Sequence, residues 1–281
     1  MTVREIVDEI IKKTGVKPLP LDKTCDQLMA GSFDAKVTKV ASTFMATVDV
    51  IKKAAEIGAE LIITHEPTWF TGADDTEWLQ DDPVYLKKKE LLDETGISIW
   101  RFHDHMHFDN EDGIFRGFDE EMGWKQYRME PSKDTPKDFR MKGRFDGCYQ
   151  IPKTTLKDLG GFFKEKMDMD VVQIIGNQDM NVERVGVLPG GGSLGLGVEH
   201  MPMDLMRYRE LDVLVCGEIL EWTLPAYVRD AYQMGMNKAI LVLGHERSEE
   251  PGMKHLGKWM ESFMQGIPVV FIDAKEPFIY L

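Results

Sequence analysis

Five of the seven histidines in this 281-residue chain fall in three short clusters: His65 beside Glu66, His103 with His105 and His107, and His245 four residues before Glu249. Imidazole mixed with carboxylate suits zinc, iron, manganese, cobalt or nickel better than calcium, magnesium or an iron–sulfur cluster. Thiolate ligation is not indicated, because Cys25, Cys148 and Cys216 stand apart with no Cys-x-x-Cys spacing, which also argues against a disulfide framework. A centre of two ions ~3.5–4 Å apart needs about five to seven protein donors, and the three clusters offer that many. A spacing of four places His245 and Glu249 on one side of a helical turn, whereas alternation at 103, 105 and 107 places three imidazoles on one face of an extended strand. The middle cluster leaves its donor open among His103, His105, His107 and Asp109.

What must position these groups is a set of strand ends. Leu61 to Thr64, Ile97 to Trp100 and Ala239 to Leu243 read as short buried strands, and each runs directly into one of the clusters. In open α/β sheets, ligand sites form outside the carboxyl ends of the strands. The helices are equally legible: Met1 to Thr14 before Gly15, Thr47 to Ile57 before Gly58, Pro83 to Thr95 before Gly96, and Leu224 to Met234 before Gly235. Strand–helix alternation implies an α/β fold of two αβα-layered lobes with mixed or parallel sheets, and a metal site at the strand ends between the lobes. The expected division is an N-terminal lobe over 1–125, a connecting segment over 126–180 and a C-terminal lobe over 181–281. The connection carries Pro131, Pro136 and the charged run Lys133 to Arg140, with a helix at Leu156 to Met167 and a strand at Val171 to Ile175.

Two further strand ends carry polar or flexible residues. Leu211 to Cys216 leads into Gly217 and Glu218, and Glu218 is a candidate general base or proton shuttle. Glu183 to Leu188 leads into Pro189 and a Gly-x-Gly-x-x-Gly from Gly190 to Gly195. Gly195, Gly197 and Pro202 work against the helix that a dinucleotide fingerprint must open, so the loop reads as a turn or as a cradle for a substrate phosphate. No Gly-x-Ser-x-Gly elbow is present, which argues against a covalent serine hydrolase. With 34 Lys and Arg against 48 Asp and Glu the formal net charge is −14, and basic stretches such as Lys87 to Lys89 sit among acids, so nucleic acid is not an expected partner. No apolar run approaches the ~20 residues of a membrane span and the first residues lack a signal-peptide core, from which a cytoplasmic location is expected.

At these residues the chain resembles the Nif-three-like dinuclear metal-centre proteins, some of whose members are described as GTP cyclohydrolase type-two-like. The resemblance runs through Gly58 to His65 with Pro67, the stretch from His103 to Gly113, Leu211 to Glu218, and Gly244-His245 with Glu249. The family pattern is a strand ending in His-His-Pro, then His-x-x-x-Asp, and finally Gly-His-x-x-x-Glu. Here Glu66 stands in place of the second paired histidine, His107 stands at the aspartate position with Asp109 as the alternative, and Trp222 stands where a histidine is often found. The resemblance implies two divalent ions, such as zinc, iron or manganese, held by His65, Glu66, His107, His245 and Glu249, with His103 nearby. It also implies a homohexamer. The function expected is metal-dependent hydrolysis of a nucleotide or other phosphorylated small molecule, with Glu218 or His103 carrying the proton. The rival class is a non-enzymatic hexameric metal-binding or scaffold protein.

Overall fold

The structure is a computed structural model that describes residues 1–131 and 145–281. The charged run Lys133 to Arg140 and Pro136 lie outside the described residues. Along the chain the elements are α1 (Val3–Thr14), β1 (Leu28–Ala30), β2 (Val40–Thr43), α2 (Val48–Glu56), β3 (Leu61–Thr64), α3 (Pro83–Thr95), β4 (Ser98–Arg101), α4 (Asp104–Phe108) and α5 (Gly113–Met122). There follow β5 (Cys148–Thr155), α6 (Leu156–Lys166), β6 (Gln173–Ile175), β7 (Asn181–Leu188), α7 (Met201–Tyr208), β8 (Val213–Cys216), α8 (Leu224–Gln233), β9 (Ala239–Val242), α9 (His245–Lys254), α10 (Leu256–Glu261) and β10 (Val269–Phe271). They form two compact units, Met1–Gly117 with Glu250–Lys275, and Phe118–Glu249 with Glu276–Leu281.

The first unit is built on a five-stranded sheet of order β1-β4-β3-β2-β10. β10, β2, β3 and β4 are parallel and β1 is antiparallel at the edge. Alternate residues of the central strands feed two separate cores: Val40, Leu61, Ile63 and Trp100 pack with Ile6 and Ile10 of α1, while Ala41, Ile62 and Ile99 pack with Val50, Ile51 and Ala54 of α2. Burial on both faces is the reason these strands read as continuous apolar runs. The flanking helices end as their sequences dictate. Thr2 and Glu5 form a capping box at the start of α1, Gly15 closes it in the left-handed region, and Asp82 caps α3 ahead of Pro83.

The second unit carries another five-stranded sheet, order β5-β7-β8-β9-β6, in which β7, β8 and β9 are parallel and the outer two strands antiparallel. Leu214, Cys216 and Ile240 of its central strands pack with Leu205 and Met206 of α7 and Leu224 and Val228 of α8. The α/β class, with mixed sheets covered by helices, is therefore as the alternation implied. Among the described residues no helix is long and apolar enough to cross a membrane.

Candidate metal centre

In the first unit β3 and β4 are parallel neighbours, with Thr64 opposite Arg101, so the residues that follow them emerge side by side. His65 and Glu66 leave β3 with both backbone N–H groups donating to the carbonyl of Phe44. His103 leaves β4 and starts a single turn of helix, α4, which carries His105 and His107. The sequence expectation of an extended strand through 103, 105 and 107 fails here. The segment is helical, so it is the spacing of four that brings His103 and His107 together, while His105 turns away.

The three imidazoles of His65, His103 and His107 form a closed group, with ring centroids 4.6 Å apart for His65–His103, 5.0 Å for His65–His107 and 4.7 Å for His103–His107. One ring nitrogen from each comes within 4.8 Å of the others, a spacing that a single ion can bridge. Each ring has its Nδ1 against an oxygen: His65 on the carbonyl of Phe102 at 3.1 Å, His103 on Asp104 Oδ1 at 3.1 Å, and His107 on Asp112 Oδ2 at 2.9 Å. An imidazole that donates through Nδ1 carries its lone pair on Nε2, which is the arrangement of a metal ligand with its tautomer fixed from behind. His65 is fully buried, and burial first, then the neighbouring His103 and His107, holds it well below the ordinary histidine range and therefore neutral. The hydrogen bond from His103 is the leading cause that lowers the Asp104 carboxyl.

His105 is differently committed. Its Nδ1 lies 2.6 Å from Asp26 Oδ2 and its Nε2 accepts the N–H of Leu19 at 3.2 Å, so both ring nitrogens serve the fold. Asp26 also accepts the backbone N–H groups of His103, Asp104 and His105 at 2.7, 2.7 and 2.9 Å, tying down the start of α4. Asp109 pairs with Arg116 at 3.2 Å. Glu66, with its side chain 14% exposed, has Oε1 3.7 Å from His103 Nε2 and Oε2 3.1 Å from Arg101.

The second unit holds its own donor pair at the ends of β7, β8 and β9. His245 and Glu249 are one turn apart at the start of α9, with Nε2 to Oε2 at 3.1 Å, and His245 Nδ1 lies 3.2 Å from Oε1 of the half-exposed Glu218. The glycine loop explains itself here. Gly190 has φ +52°, and a Cβ on it would fall 2.0 Å from Glu249 Oε1 and 2.6 Å from His245 Nε2. Its N–H is taken by Ser248 Oγ at 2.9 Å and its carbonyl by the N–H of Glu218 at 3.0 Å, so this residue is a seat for the donor pair. Trp222 is 74% exposed. Burial pushes the Cys25 thiol up to about 12 and raises Cys148 and Cys216 as well, so none is set up as a nucleophile.

Four residues with roles at these groups carry no motif of their own: Asp26, Arg101, Asp104 and Asp112. Only Asp112 had a local signal, as an acid just before the helix that starts at Gly113, where its Oδ1 accepts the N–H of Ile114 at 2.8 Å. Asp26 reaches the cluster from almost eighty residues away and has no signal in the sequence.

Comparison with known proteins bears on the whole chain. The profile of the Duf34/NIF3 (NGG1p interacting factor 3) family matches residues 1–277. A protein of Clostridium perfringens (strain 13 / Type A) named GTP cyclohydrolase 1 type 2 homolog is 24% identical over 277 residues, 95% of each chain. Among solved structures, a Bacillus cereus protein related to NIF3 superposes with a TM-score of 0.74 at 15% identity, covering 100% of this chain and 99% of that one. A Staphylococcus aureus protein superposes with a TM-score of 0.71 at 18% identity and the same coverage.

Proposed function

The chain belongs to the Duf34/NIF3 family, and on that premise we propose that it binds two divalent transition-metal ions and acts as a metal-dependent hydrolase of a nucleotide or other phosphorylated small molecule. The proposed ligands are His65, Glu66, His107, His245 and Glu249, with His103 beside them. One observation carries the reading: three imidazoles are gathered in one group, and the two proposed as ligands, His65 and His107, each have Nδ1 anchored on an oxygen and so present Nε2 as their donor. A purely structural histidine has no need of this, as the doubly committed His105 illustrates.

When bound, ions of this class would supply Lewis acidity and lower the pKa of a water far enough to give hydroxide near neutral pH. The chain's own residues supply the rest. Glu218, whose Oε1 faces His245 Nδ1 and whose side chain is 46% exposed, would accept the proton released by the attacking water and pass it to solvent. His103 holds Asp104 on one nitrogen and faces Glu66 with the other, the position of a second proton carrier. A chain of net charge −14 repels an anionic phosphate, so cations are what would make such a substrate bind. The name of the Clostridium perfringens relative points to GTP as the first nucleotide to try.

Metal content of tag-free protein purified without chelator, measured by plasma mass spectrometry beside a His65→Ala/His245→Ala variant, tests the binding. About two equivalents per chain, lost in the variant, is the expected result; unchanged content in the variant sinks the assignment. Turnover of a nucleotide and phosphoester panel that appears with added manganese, zinc or iron and vanishes on chelation tests the hydrolase. A folded, loaded protein without turnover favours the non-enzymatic reading. We also propose a cytoplasmic homohexamer. Exposed Trp222, Tyr227, Met234 and Met236 on and around α8 support self-association, which analytical ultracentrifugation checks.

A further inference from the structure

Arg101, the last residue of β4, is 4% exposed, and its guanidinium is engaged on every edge. Nε donates to the carbonyl of His65 at 3.1 Å. One terminal nitrogen donates to the carbonyl of Gly72 at 2.7 Å and lies 3.6 Å from Asp74, and the other donates to Glu66 Oε2 at 3.1 Å. A counter-charge for Asp74, whose side chain is 3% exposed, would require only one of these contacts. The fork instead reaches two consecutive residues of the metal-binding group, the backbone of one and the carboxylate of the other.

The consequence falls on Glu66. Its Oε2 is held by Arg101, which leaves Oε1 directed at His103 Nε2, 3.7 Å away. A histidine at this position would bring one neutral lone pair. A glutamate brings two oxygens and a negative charge, and Arg101 compensates both differences, occupying one oxygen and offsetting the charge. Planar, two-pronged donation of this kind is what a guanidinium does and an ammonium does not.

We infer that Arg101 is a positioning residue for the metal-binding group: it holds Glu66 as a one-oxygen donor and thereby sets the affinity of the ion that Glu66 binds. The inference rests on the reading of Glu66 as a ligand. Outer residues that orient a ligand are worth about 10–100-fold in metal affinity. The test is Co(II) binding by calorimetry and by visible absorption, on the full chain, for Arg101→Lys, Glu66→Gln and the double variant, with folding checked by thermal melts. Lysine keeps the buried positive charge against Asp74 and loses only the fork, so it is the variant suited to a folded protein; Glu66→Asp, which withdraws the carboxylate from an intact Arg101, is the second route to the same broken contact.

The expected result is a Co(II) affinity about 10–100-fold weaker in Arg101→Lys, with a changed visible spectrum, and a double variant no weaker than Glu66→Gln alone, because Arg101 acts through Glu66. Glu66→Asp should shift the spectrum in the same direction. A loss in the double variant that multiplies the two single losses, or an unchanged affinity and spectrum in Arg101→Lys, overturns the role of Arg101 while leaving Glu66 a ligand. Unchanged affinity in Glu66→Gln removes Glu66 from the ligand set, and the role of Arg101 falls with it.

Discussion

The two units each carry a donor group at the carboxyl ends of their parallel strands, and the two groups are made differently. In the first, buried His65 joins His103 and His107, and every Nδ1 rests on a carbonyl or carboxylate. In the second, His245 and Glu249 are adjacent simply because α9 turns once between them, and the half-exposed Glu218 is the partner behind the histidine. The first group is preorganised by tertiary contacts from distant parts of the chain; the second is organised by helix periodicity and kept open by a missing side chain at Gly190. Preorganisation of the first kind resists local disturbance and fails when a remote anchor is removed. The second kind fails when its small space is filled.

The largest effect should come from the centre of the first group. His65→Ala is expected to weaken metal binding by more than about 100-fold, beyond what loss of an orienting partner costs, and equilibrium dialysis with Mn(II) or Co(II) measures it; an equal loss in His245→Ala would erase the contrast in favour of one interdependent set. Next is the remote anchor. Asp26→Ala leaves three backbone N–H groups at the start of α4 and the ring of His105 without their acceptor and should cost about 1–3 kcal/mol in denaturant unfolding, with weaker metal binding as a consequence. A change below about 1 kcal/mol would mean that α4 holds its own shape.

Gly190→Ala should cost about 1–3 kcal/mol through overpacking and strain and weaken the ion that depends on His245 and Glu249, leaving the His65 group's contribution intact. Double variants with His65→Ala and with His245→Ala separate those two outcomes. The smallest effect is a pH dependence. Burial keeps His65 neutral in the folded chain at pH values where the unfolded chain protonates it, so its contribution to stability is whole above about 6.5 and is lost as pH falls toward the lowered folded value. Metal-free wild type should therefore lose stability below about pH 6.5 more steeply than His65→Asn, by no more than about 1.4 kcal/mol per pH unit. Parallel curves would show that His65 is not held neutral.

Much of the fold was legible locally. Pro83 to Thr95 has its proline at the start and glycine at the end, and Leu61 to Thr64 is an unbroken apolar run, so both elements stand where the sequence reading put them. Helix caps and two-faced burial act within a few residues, and a local pattern is enough to encode them. The stretch 103–107 departs from its local pattern for a reason of the same kind reversed: alternation of histidines mimics a strand, and the helical turn is held by Asp26, which accepts three of its N–H groups from outside.

The sequence by itself determined the α/β class, the strand ends on which the histidines sit, and the pairing of His245 with Glu249, because each depends on periodicity along a short segment. Only the tertiary structure decided that β10 joins the first sheet beside β2, that His103 and His107 face His65 while His105 is spent on Asp26 and Leu19, and that Arg101 grips Glu66. Those are contacts between residues tens to hundreds of positions apart. Their geometry is fixed by which strands lie side by side, and no spacing along a single segment records that.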